Sequence, residues 1–167
     1  MPRRHTQFEK GKHYHITNLG LAKKKIFYDS NDYEWFLNRM QTYKKKYNID
    51  ISCYCLMPNH FHLIANQTEN AGLFKFIWTL EFSYAKHFNS KWNRKGQLFG
   101  KRYFPKPIED QEQLINTIQY IINNPVRAGL VKSPEEWPYL SFNLPKISQT
   151  KLDNFPRGKF NRLELTG

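Results

Sequence analysis

The stretch YCLMPNHFHLI, residues 54–64, decides the fold, because it reads as two apolar strands joined by a tight turn at Pro58-Asn59. A turn this short predicts an antiparallel hairpin. Alternate side chains of a strand point to the same face, so His60 and His62 are predicted to project together while Phe61 faces the other way. Two imidazoles on one side of a rigid strand form half of a metal site. The alternative is that both histidines only hydrogen-bond to neighbours on a half-exposed strand.

The elements around this hairpin follow from hydrophobic periodicity, which distinguishes helices from strands. Pro105 and Pro107 place the strand in which they lie at a sheet edge, because proline cannot donate a backbone hydrogen bond. Asp110 followed by Gln113 resembles a capping box at the start of the last helix, and Pro125 ends that helix. The predicted elements are a strand at 13–20, a helix at 32–47, strands at 49–57 and 60–66, a helix at 73–88, a strand at 102–108 and a helix at 110–123.

This order of elements predicts an α+β fold with a ferredoxin-like βαββαβ core, an antiparallel sheet and an additional C-terminal helix. The chain has 167 residues, 40% of them hydrophobic, which suits one domain with a proper core rather than two. We expect that domain to span residues 1–145. A basic tail at 146–167, which could be mobile, is expected to follow it.

The charge of the chain points to a polyanionic partner. The 26 Lys and Arg residues exceed the 14 acids and give a formal net charge of +12. Nucleic acid is the first expectation and an anionic membrane surface the second. We detect neither a signal peptide nor a run near the ~18 apolar residues of a membrane span. We therefore expect a cytoplasmic, nucleoid-associated protein with no membrane partner, acting as a monomer or homodimer.

Other histidines and the two cysteines offer further metal ligands. His13 and His15 form a second pair with strand spacing, and they would approach the first pair if their strands are neighbours. Cys53 and Cys55 allow a zinc alternative, because thiolate with imidazole suits zinc. Their spacing makes a disulfide framework improbable, and the simpler interpretation is that both thiols are buried in an apolar core.

Among the ten tyrosines, Tyr120 is singled out by its position on the last predicted helix. At about 100° per residue it projects away from the apolar stripe and into a polar row. Asn124 follows one turn later, so its amide could reach what the Tyr120 hydroxyl reaches. Tyr84 instead lies within the apolar stripe of its own helix, where packing is expected. The stripe of the last helix consists of Leu114, Ile115, Ile118, Ile121 and Ile122.

Cations recur in clusters between aromatic residues, as in WNRKGQLFGKRYF, residues 92–104. Cations for phosphates and flat rings for bases are typical of a surface that binds single-stranded nucleic acid. Charge runs are also common on solvated helix ends. The candidate DNA-binding residues are Lys23, Lys24, Lys25, Arg94, Lys95, Lys101, Arg102 and Arg127.

Taken together, the motifs resemble a known family. A YHI strand, YCLMPNHFHL, FNxxxNRKGQLFxxRY, YIxxNPVRAGLV and WPYLS occur in order over residues 12–142. The chain resembles the REP-associated tyrosine transposases and related single-tyrosine transposases of the HUH endonuclease superfamily.

The resemblance implies a ferredoxin-like core and a divalent metal, Mg²⁺ or Mn²⁺, on His60 and His62. It implies Tyr120 as the nucleophile that cuts single-stranded DNA at hairpin-flanked sites through a 5′-phosphotyrosine link. Asn124 is the most plausible third ligand, although glutamine is usual in some relatives. Tyr84 matches a tyrosine that is often present and is not taken as the nucleophile.

Two other functions remain open from the sequence. One is a non-catalytic single-stranded nucleic-acid binding protein, although no segment matches the aromatic consensus of an RNA-recognition sheet. The other is a DNA-binding domain stabilised by zinc on Cys53 and Cys55.

Overall fold

A computed structural model describes residues 7–69 and 72–142 of the chain. The predicted tail at 146–167 lies outside the described residues. Short 3₁₀ turns occur at Leu21–Lys23 and Pro134–Glu136. The strands and helices are β1 (Tyr14–Leu19), α1 (Ser30–Lys46), β2 (Ile49–Met57), β3 (His60–Gln67), α2 (Gly72–Lys91), β4 (Phe104–Pro107), α3 (Gln111–Ile122), α4 (Asn124–Arg127) and β5 (Leu140–Phe142).

The strands form one antiparallel sheet in the order β4-β1-β3-β2-β5. The first four positions reproduce the ferredoxin-like arrangement that the sequence predicts. β5 extends the sheet beside β2. The edge position of β4 agrees with its two prolines, but the strand is shorter than the predicted 102–108, because the residues before Phe104 leave the ladder.

The β2–β3 hairpin turns at Pro58-Asn59, with Met57 opposite His60. A bulge lies between Ile51 and Cys53, where the pairing register with β3 shifts by one residue. An extra residue in one strand reverses which face the following side chains point to. Cys53 and Cys55 therefore leave the face that Ile51 occupies and lie on the face that packs against α3.

Helices α1 and α2 cover one face of the sheet with a large apolar core. Asp29 caps α1 by accepting from the backbone N–H of Asp32, whose own carboxylate accepts from the N–H groups of Tyr28 and Asp29. The Asp32 carboxylate is buried and is neutralised by Lys91 of α2, with the two groups 2.8 Å apart. This cap starts α1 at Ser30, slightly before the predicted residue 32.

Helix α3 covers the opposite face of the sheet through the predicted apolar stripe. All five stripe residues are buried, and α3 packs on β2 and β5. Burying each of these aliphatic side chains contributes roughly 1.5–3 kcal/mol, which holds α3 firmly on the sheet. Because the stripe is confined to one side, the remaining side chains of α3 face the solvent or a cleft beside it.

The two ends of α3 follow from Asp110 and Pro125. The Asp110 side chain accepts from the Gln113 backbone N–H, but the Gln113 side chain accepts from the Glu109 N–H, so the predicted capping box is only half formed. Pro125 breaks the helix after Ile122, as predicted, and a single further turn, α4, begins at Asn124.

Within residues 7–69 and 72–142, every helix is too short or too polar to cross a membrane.

Candidate active site

His60, His62 and Asn124 meet where β3 passes the start of α4. The two imidazole rings have centroids 4.9 Å apart. The Asn124 side-chain amide lies 3.1 Å from His62 Nε2 and also hydrogen-bonds to His60. The helix break at Pro125 puts Asn124 in this position, since the amide belongs to α4 rather than to the regular end of α3.

Both imidazoles are held from behind through Nδ1. His60 Nδ1 lies 2.7 Å from Asn59 Oδ1, and His62 Nδ1 lies 2.9 Å from His15 Nε2. An amide oxygen only accepts, so His60 carries its proton on Nδ1. With Asn124 donating to His62 Nε2, the His62 proton is also on Nδ1 and is donated to His15. The His62 Nε2 lone pair therefore faces the Asn124 amide.

Burial keeps these rings neutral. Desolvation, followed by the neighbouring charges of His60, His15 and Arg127, lowers the pKa of His62 to about 2. Desolvation, with Lys106 nearby, lowers the pKa of His15 to about 4. The pKa of His60 is also lowered by burial, a shift that its bond with Asn124 opposes. Neutral imidazole is the form that binds metals, so no proton has to be removed at neutral pH.

This donor set fits a divalent cation. The His62 Nε2 atom, the neighbouring His60 ring and an amide, which a half-turn would present through Oδ1, lie together. Hydrogen bonds to Asn59 and His15 orient the rings, as partners behind metal-binding histidines do. Among residues 7–69 and 72–142, no three His, Cys, Asp or Glu side chains are grouped to hold a metal. Only three protein donors would leave positions free for phosphate and water.

Tyr120 stands beside the histidines on the open side of α3. Its side chain is 46% exposed, and its ring centroid lies 5.8 Å from that of His62 and 6.4 Å from that of His15. The Arg127 guanidinium covers the Tyr120 ring at 4.2 Å. Cation–π contacts of this kind fix a ring without occupying its hydroxyl. The phenol is thus close to the histidines and accessible from the cleft.

Tyr84 lies in a different environment. Its side chain is fully buried between α1 and α2, and its hydroxyl donates to the Ile26 carbonyl oxygen. Burial raises the pKa of this phenol far above its ordinary value. The expectation that Tyr84 packs in the core is met by this position.

A cleft of about 1120 Å³ runs along these groups between α3 and the β4-β1-β3 edge of the sheet. His15, His60, His62 and Tyr120 line it together. Its cations are Lys23, Lys101, Arg102 and Lys106, and Phe104 at its rim is 68% exposed. A concave site with cations and an exposed ring around polar groups is suited to a phosphodiester strand.

The family model described as "Transposase IS200 like" matches residues 9–124, more than half of the chain. The chain belongs to the IS200-like transposase family. A putative REP-associated tyrosine transposase of Haemophilus influenzae is 27% identical over 58% of this chain and 61% of its own length. A REP-associated tyrosine transposase of Escherichia coli is 22% identical over 68% of this chain and 67% of its own. The family resemblance that was inferred from the sequence motifs is thereby confirmed.

One solved structure, a REP-associated tyrosine transposase bound to a REP hairpin, matches with a TM-score of 0.67. It is 20% identical and the match covers 84% of this chain and 82% of that chain, which confirms the fold. The chain spans about three fifths of the length of the Haemophilus influenzae relative.

The predicted DNA-binding residues separate into two groups. Lys23, Lys101 and Arg102 line the cleft, and Arg127 packs over the ring of Tyr120, which lines it. The other four do not line it. Lys24 and Lys25 are exposed in the β1–α1 connection, Lys95 is exposed after α2, and the Arg94 guanidinium packs over the Phe88 ring.

The sequence motifs do not single out three residues that the structure places at the site. His15 was one half of a weak pair, and its contact with His62 depends on the β1–β3 register, in which Thr17 is opposite His62. Lys106 shares the His15 face because those two residues pair between β4 and β1. Asn59 is only a turn residue in the sequence. The approach of the His13–His15 pair to the His60–His62 pair is predicted for neighbouring strands and is confirmed for His15, and Lys106 could have been found by aligning the strands in ferredoxin-like order.

His13, Cys53 and Cys55 stand apart from this centre. The His13 ring lies near the Asn66 amide, at 3.2 Å, and does not line the cleft. Both thiols are fully buried in the apolar layer under α3, and burial raises their pKa values. Protonated thiols in an apolar layer behave as small hydrophobic groups, which favours the packing interpretation over zinc.

Proposed function

We propose that the protein is a metal-dependent single-stranded DNA endonuclease and strand transferase that acts at hairpin-flanked sites through a 5′-phosphotyrosine. The observation that carries the proposal is the meeting of Tyr120 with His60 and His62 in one basic cleft, with Asn124 hydrogen-bonded to His62. A nucleophile, a neutral donor set and phosphate-binding cations are what such a reaction needs. The membership in a transposase family supports it.

In the proposed reaction, the Tyr120 oxygen attacks the phosphorus of a phosphodiester. A bond forms between that oxygen and phosphorus, the bond from phosphorus to the 3′ oxygen breaks, and the phenolic proton leaves to solvent while the 3′ oxygen takes one up. The 5′ end stays on the protein. Attack by another 3′-hydroxyl reverses the step, so the strands are exchanged with the number of phosphodiester bonds conserved and without ATP.

The bound group would be Mg²⁺ or Mn²⁺, held by His60, His62 and Asn124. When bound, such an ion stabilises negative charge on a phosphoryl oxygen. The protein contributes the orientation of its donors, since Asn59 and His15 hold the two imidazole rings through their Nδ1 atoms. Arg127, above the Tyr120 ring, adds positive charge beside the scissile phosphate.

The proposed substrate is single-stranded DNA that carries a hairpin. Lys23, Lys101, Arg102 and Lys106 supply a cationic track for phosphates along the cleft. The exposed Phe104 ring beside it offers a surface on which an unpaired base can stack. The structural relative that is bound to a REP hairpin supports a hairpin partner. A nucleoid-associated monomer or homodimer in the cytoplasm is consistent with the +12 charge.

A non-catalytic binding protein would use the same cationic cleft, but it would not need the Tyr120–His62–Asn124 arrangement. The deciding experiment incubates the protein with labelled single-stranded hairpins and Mn²⁺ or Mg²⁺, and looks for a covalent adduct on denaturing gels. We expect an adduct that disappears with EDTA and in the His60→Ala and His62→Ala variants, whose fold is checked by circular dichroism. Binding without any adduct under all these conditions would leave the non-catalytic function, and full activity in EDTA would refute the metal.

A further inference from the structure

The outer side of α2 carries an aromatic pair that the fold leaves uncovered. Trp78 is 55% exposed and Phe82 is 59% exposed. Their rings stack at 5.3 Å with planes 6° apart, as side chains four residues apart on a helix can. Two adjacent flat rings in water cost hydration free energy without adding to the core.

These rings form one wall of a second groove, of about 380 Å³, whose opposite wall is the segment 97–102. Lys101 and Arg102 line both this groove and the catalytic cleft. The Arg102 guanidinium is itself steadied over the Phe74 ring at 5.7 Å. A single pair of cations therefore connects the two concave surfaces, and a chain of phosphates could follow them from one to the other.

The segment between the groove and the cleft is held by β1 and by the 3₁₀ turn that follows it. The Leu21 N–H donates to the Leu98 carbonyl oxygen, and the Gly100 N–H donates to the Leu19 carbonyl oxygen, both at 2.9 Å. Asn18 Nδ2 donates to the Lys101 carbonyl oxygen at 3.1 Å. The groove wall and its cations are thus preorganised, which lowers the entropic cost of binding.

The groove also contains a carboxyl group. Glu81 lies between Trp78 and Phe82 along α2, and its Oε1 accepts from Asn18 Nδ2 at 2.8 Å. Burial raises the pKa of this carboxyl to about 7, against the opposing effects of Asn18 and Arg102. At neutral pH its negative charge is therefore incomplete, so it repels a nearby phosphate less than an exposed glutamate would.

We propose that this groove binds an unpaired nucleobase of the DNA strand that extends from the catalytic cleft, stacked on Trp78 and Phe82 with its phosphates on Lys101 and Arg102. The inference rests on the proposed function, because it concerns the same DNA. Flat rings beside cations are typical of single-strand sites. A docking site for an apolar protein surface is less suited to a groove that shares its cations with the cleft.

The test compares two DNA probes in the Tyr120→Phe background, which prevents cleavage. One is a blunt hairpin and the other is the same hairpin with an unpaired extension of several nucleotides. We expect the protein that carries only Tyr120→Phe to bind the extended hairpin more tightly than the blunt one, a gain in affinity that the extension provides. Adding Trp78→Ala or Phe82→Ala should weaken binding of the extended hairpin about 5- to 150-fold. The affinity for the blunt hairpin should stay within about twofold, because that probe has no base for the groove.

Three matched variants separate stacking from charge and from general hydrophobicity. Trp78→Phe keeps a flat ring and should retain most of the gain. Trp78→Lys adds a cation but removes the ring, and should lose the gain nevertheless. Phe82→Leu stays apolar without being flat and should behave like Phe82→Ala. Leu130→Ala removes an exposed apolar side chain elsewhere and should have no effect.

The inference is overturned if the extension does not tighten binding, if the Trp78 and Phe82 variants weaken both probes equally, or if Phe82→Leu keeps the full gain. A change in sedimentation mass of Trp78→Ala without DNA would instead assign the pair to contacts between copies of the chain. Adduct formation by the protein with Tyr120 intact is measured in parallel. Its absence would refute the nuclease proposal and leave the result for the groove standing.

Discussion

The two faces of the sheet carry the same kinds of residue and use them differently. On the α1–α2 face, the aromatic side chains interlock and are almost entirely withdrawn from water. On the α3 face, the apolar stripe of α3 covers only β2, β5 and part of β3. The remainder of that face, with His15 and His62, lines the cleft together with Tyr120 of α3. An incompletely covered sheet face provides both a rigid support and access for a ligand.

Tyr84 and Tyr120 show what this difference means for one residue type. Tyr84 has no exposed surface and its hydroxyl is bonded to a backbone carbonyl. Tyr120 is 46% exposed, with its ring between the histidines and Arg127. Residue type alone would not separate the two, whereas the covering of the sheet face does.

The largest effect is expected from removing one tyrosine hydroxyl on each side of the sheet, by Tyr120→Phe and by Tyr84→Phe. Tyr120→Phe should reduce covalent adduct formation by at least about 10⁴-fold, because the proposed nucleophile is lost. Its thermal stability should scarcely change, since the Tyr120 side chain is largely exposed and removing one oxygen changes little volume. Tyr84→Phe should keep the adduct but destabilise the fold by about 1–3 kcal/mol, because the Ile26 carbonyl loses its buried partner. The reverse pattern in a gel assay and a denaturation curve would exchange the two assignments.

The second effect concerns the lysines of the cleft compared with the lysines at the end of α1, on the other side of the sheet. If about six phosphates are neutralised, the affinity for a hairpin should fall roughly 10³-fold between about 50 and 200 mM salt. Lys101→Gln and Lys106→Gln should each reduce the slope of log affinity against log salt by about one. Lys45→Gln and Lys46→Gln at the end of α1 are the matched controls and should leave it unchanged. Equal effects from both pairs would mean that DNA does not select the cleft.

The third effect tests the residue behind His62. His15→Ala removes the acceptor of the His62 Nδ1 proton, so the ring is no longer fixed. Affinity for Mn²⁺, measured by calorimetry without DNA, should fall about 10- to 100-fold. His13→Ala, one residue before β1 and outside the cleft lining, should leave it unchanged. An unaltered affinity in His15→Ala would show that the contact is only packing.

The smallest effect is expected on how the free energy of unfolding of the metal-free protein depends on pH. His15 has a pKa near 6.5 when unfolded and about 4 when folded. Between these values the unfolded chain binds a proton that the folded protein does not, so the free energy of unfolding falls as the pH drops. His15→Asn should lose less stability than the wild type from pH 6.5 to 4, by about 1–3 kcal/mol.

Glu81 provides a control of opposite sign. Its pKa is 4.5 in the unfolded chain and about 7 in the folded protein, so its contribution to stability declines as the pH rises through that range. Glu81→Gln should remove this decline. Because Glu81 is common to the wild type and His15→Asn, its effect cancels when those two denaturation curves are subtracted. Identical pH profiles for the two proteins would show that His15 is not kept neutral by folding.

The sequence was sufficient for much of this architecture because local patterns encode it. Strand alternation identified the hairpin and the shared face of His60 and His62, and the apolar stripe of α3 identified the open side on which Tyr120 lies. The features that the sequence does not reveal depend on contacts between residues that are distant in the sequence. The bulge before Cys53 decides which face the thiols occupy, and the β1–β3 register decides that His15 rather than His13 meets His62.

The break at Pro125 shows the same limit. The sequence placed Asn124 one helical turn after Tyr120, whereas the structure starts a new turn at Asn124 and directs its amide to the histidines. Proline marks where a helix ends, but not the direction in which the chain continues, because that depends on the packing of α4 against its neighbours. The separation of Lys23, Lys101 and Arg102 from Arg94 and Lys95 likewise depends on tertiary structure.

The most direct test of the account is to locate the DNA on the protein. An adduct formed with a hairpin in Mn²⁺ would be digested with nuclease and protease, and the modified residue would be assigned by tandem mass spectrometry. Trypsin leaves Tyr103 and Tyr120 on one peptide, because Lys106 precedes a proline, so fragment ions must separate the two. The account predicts a nucleotide on Tyr120. A nucleotide on Tyr84 or Tyr103, or an undiminished adduct in Tyr120→Phe, would contradict it.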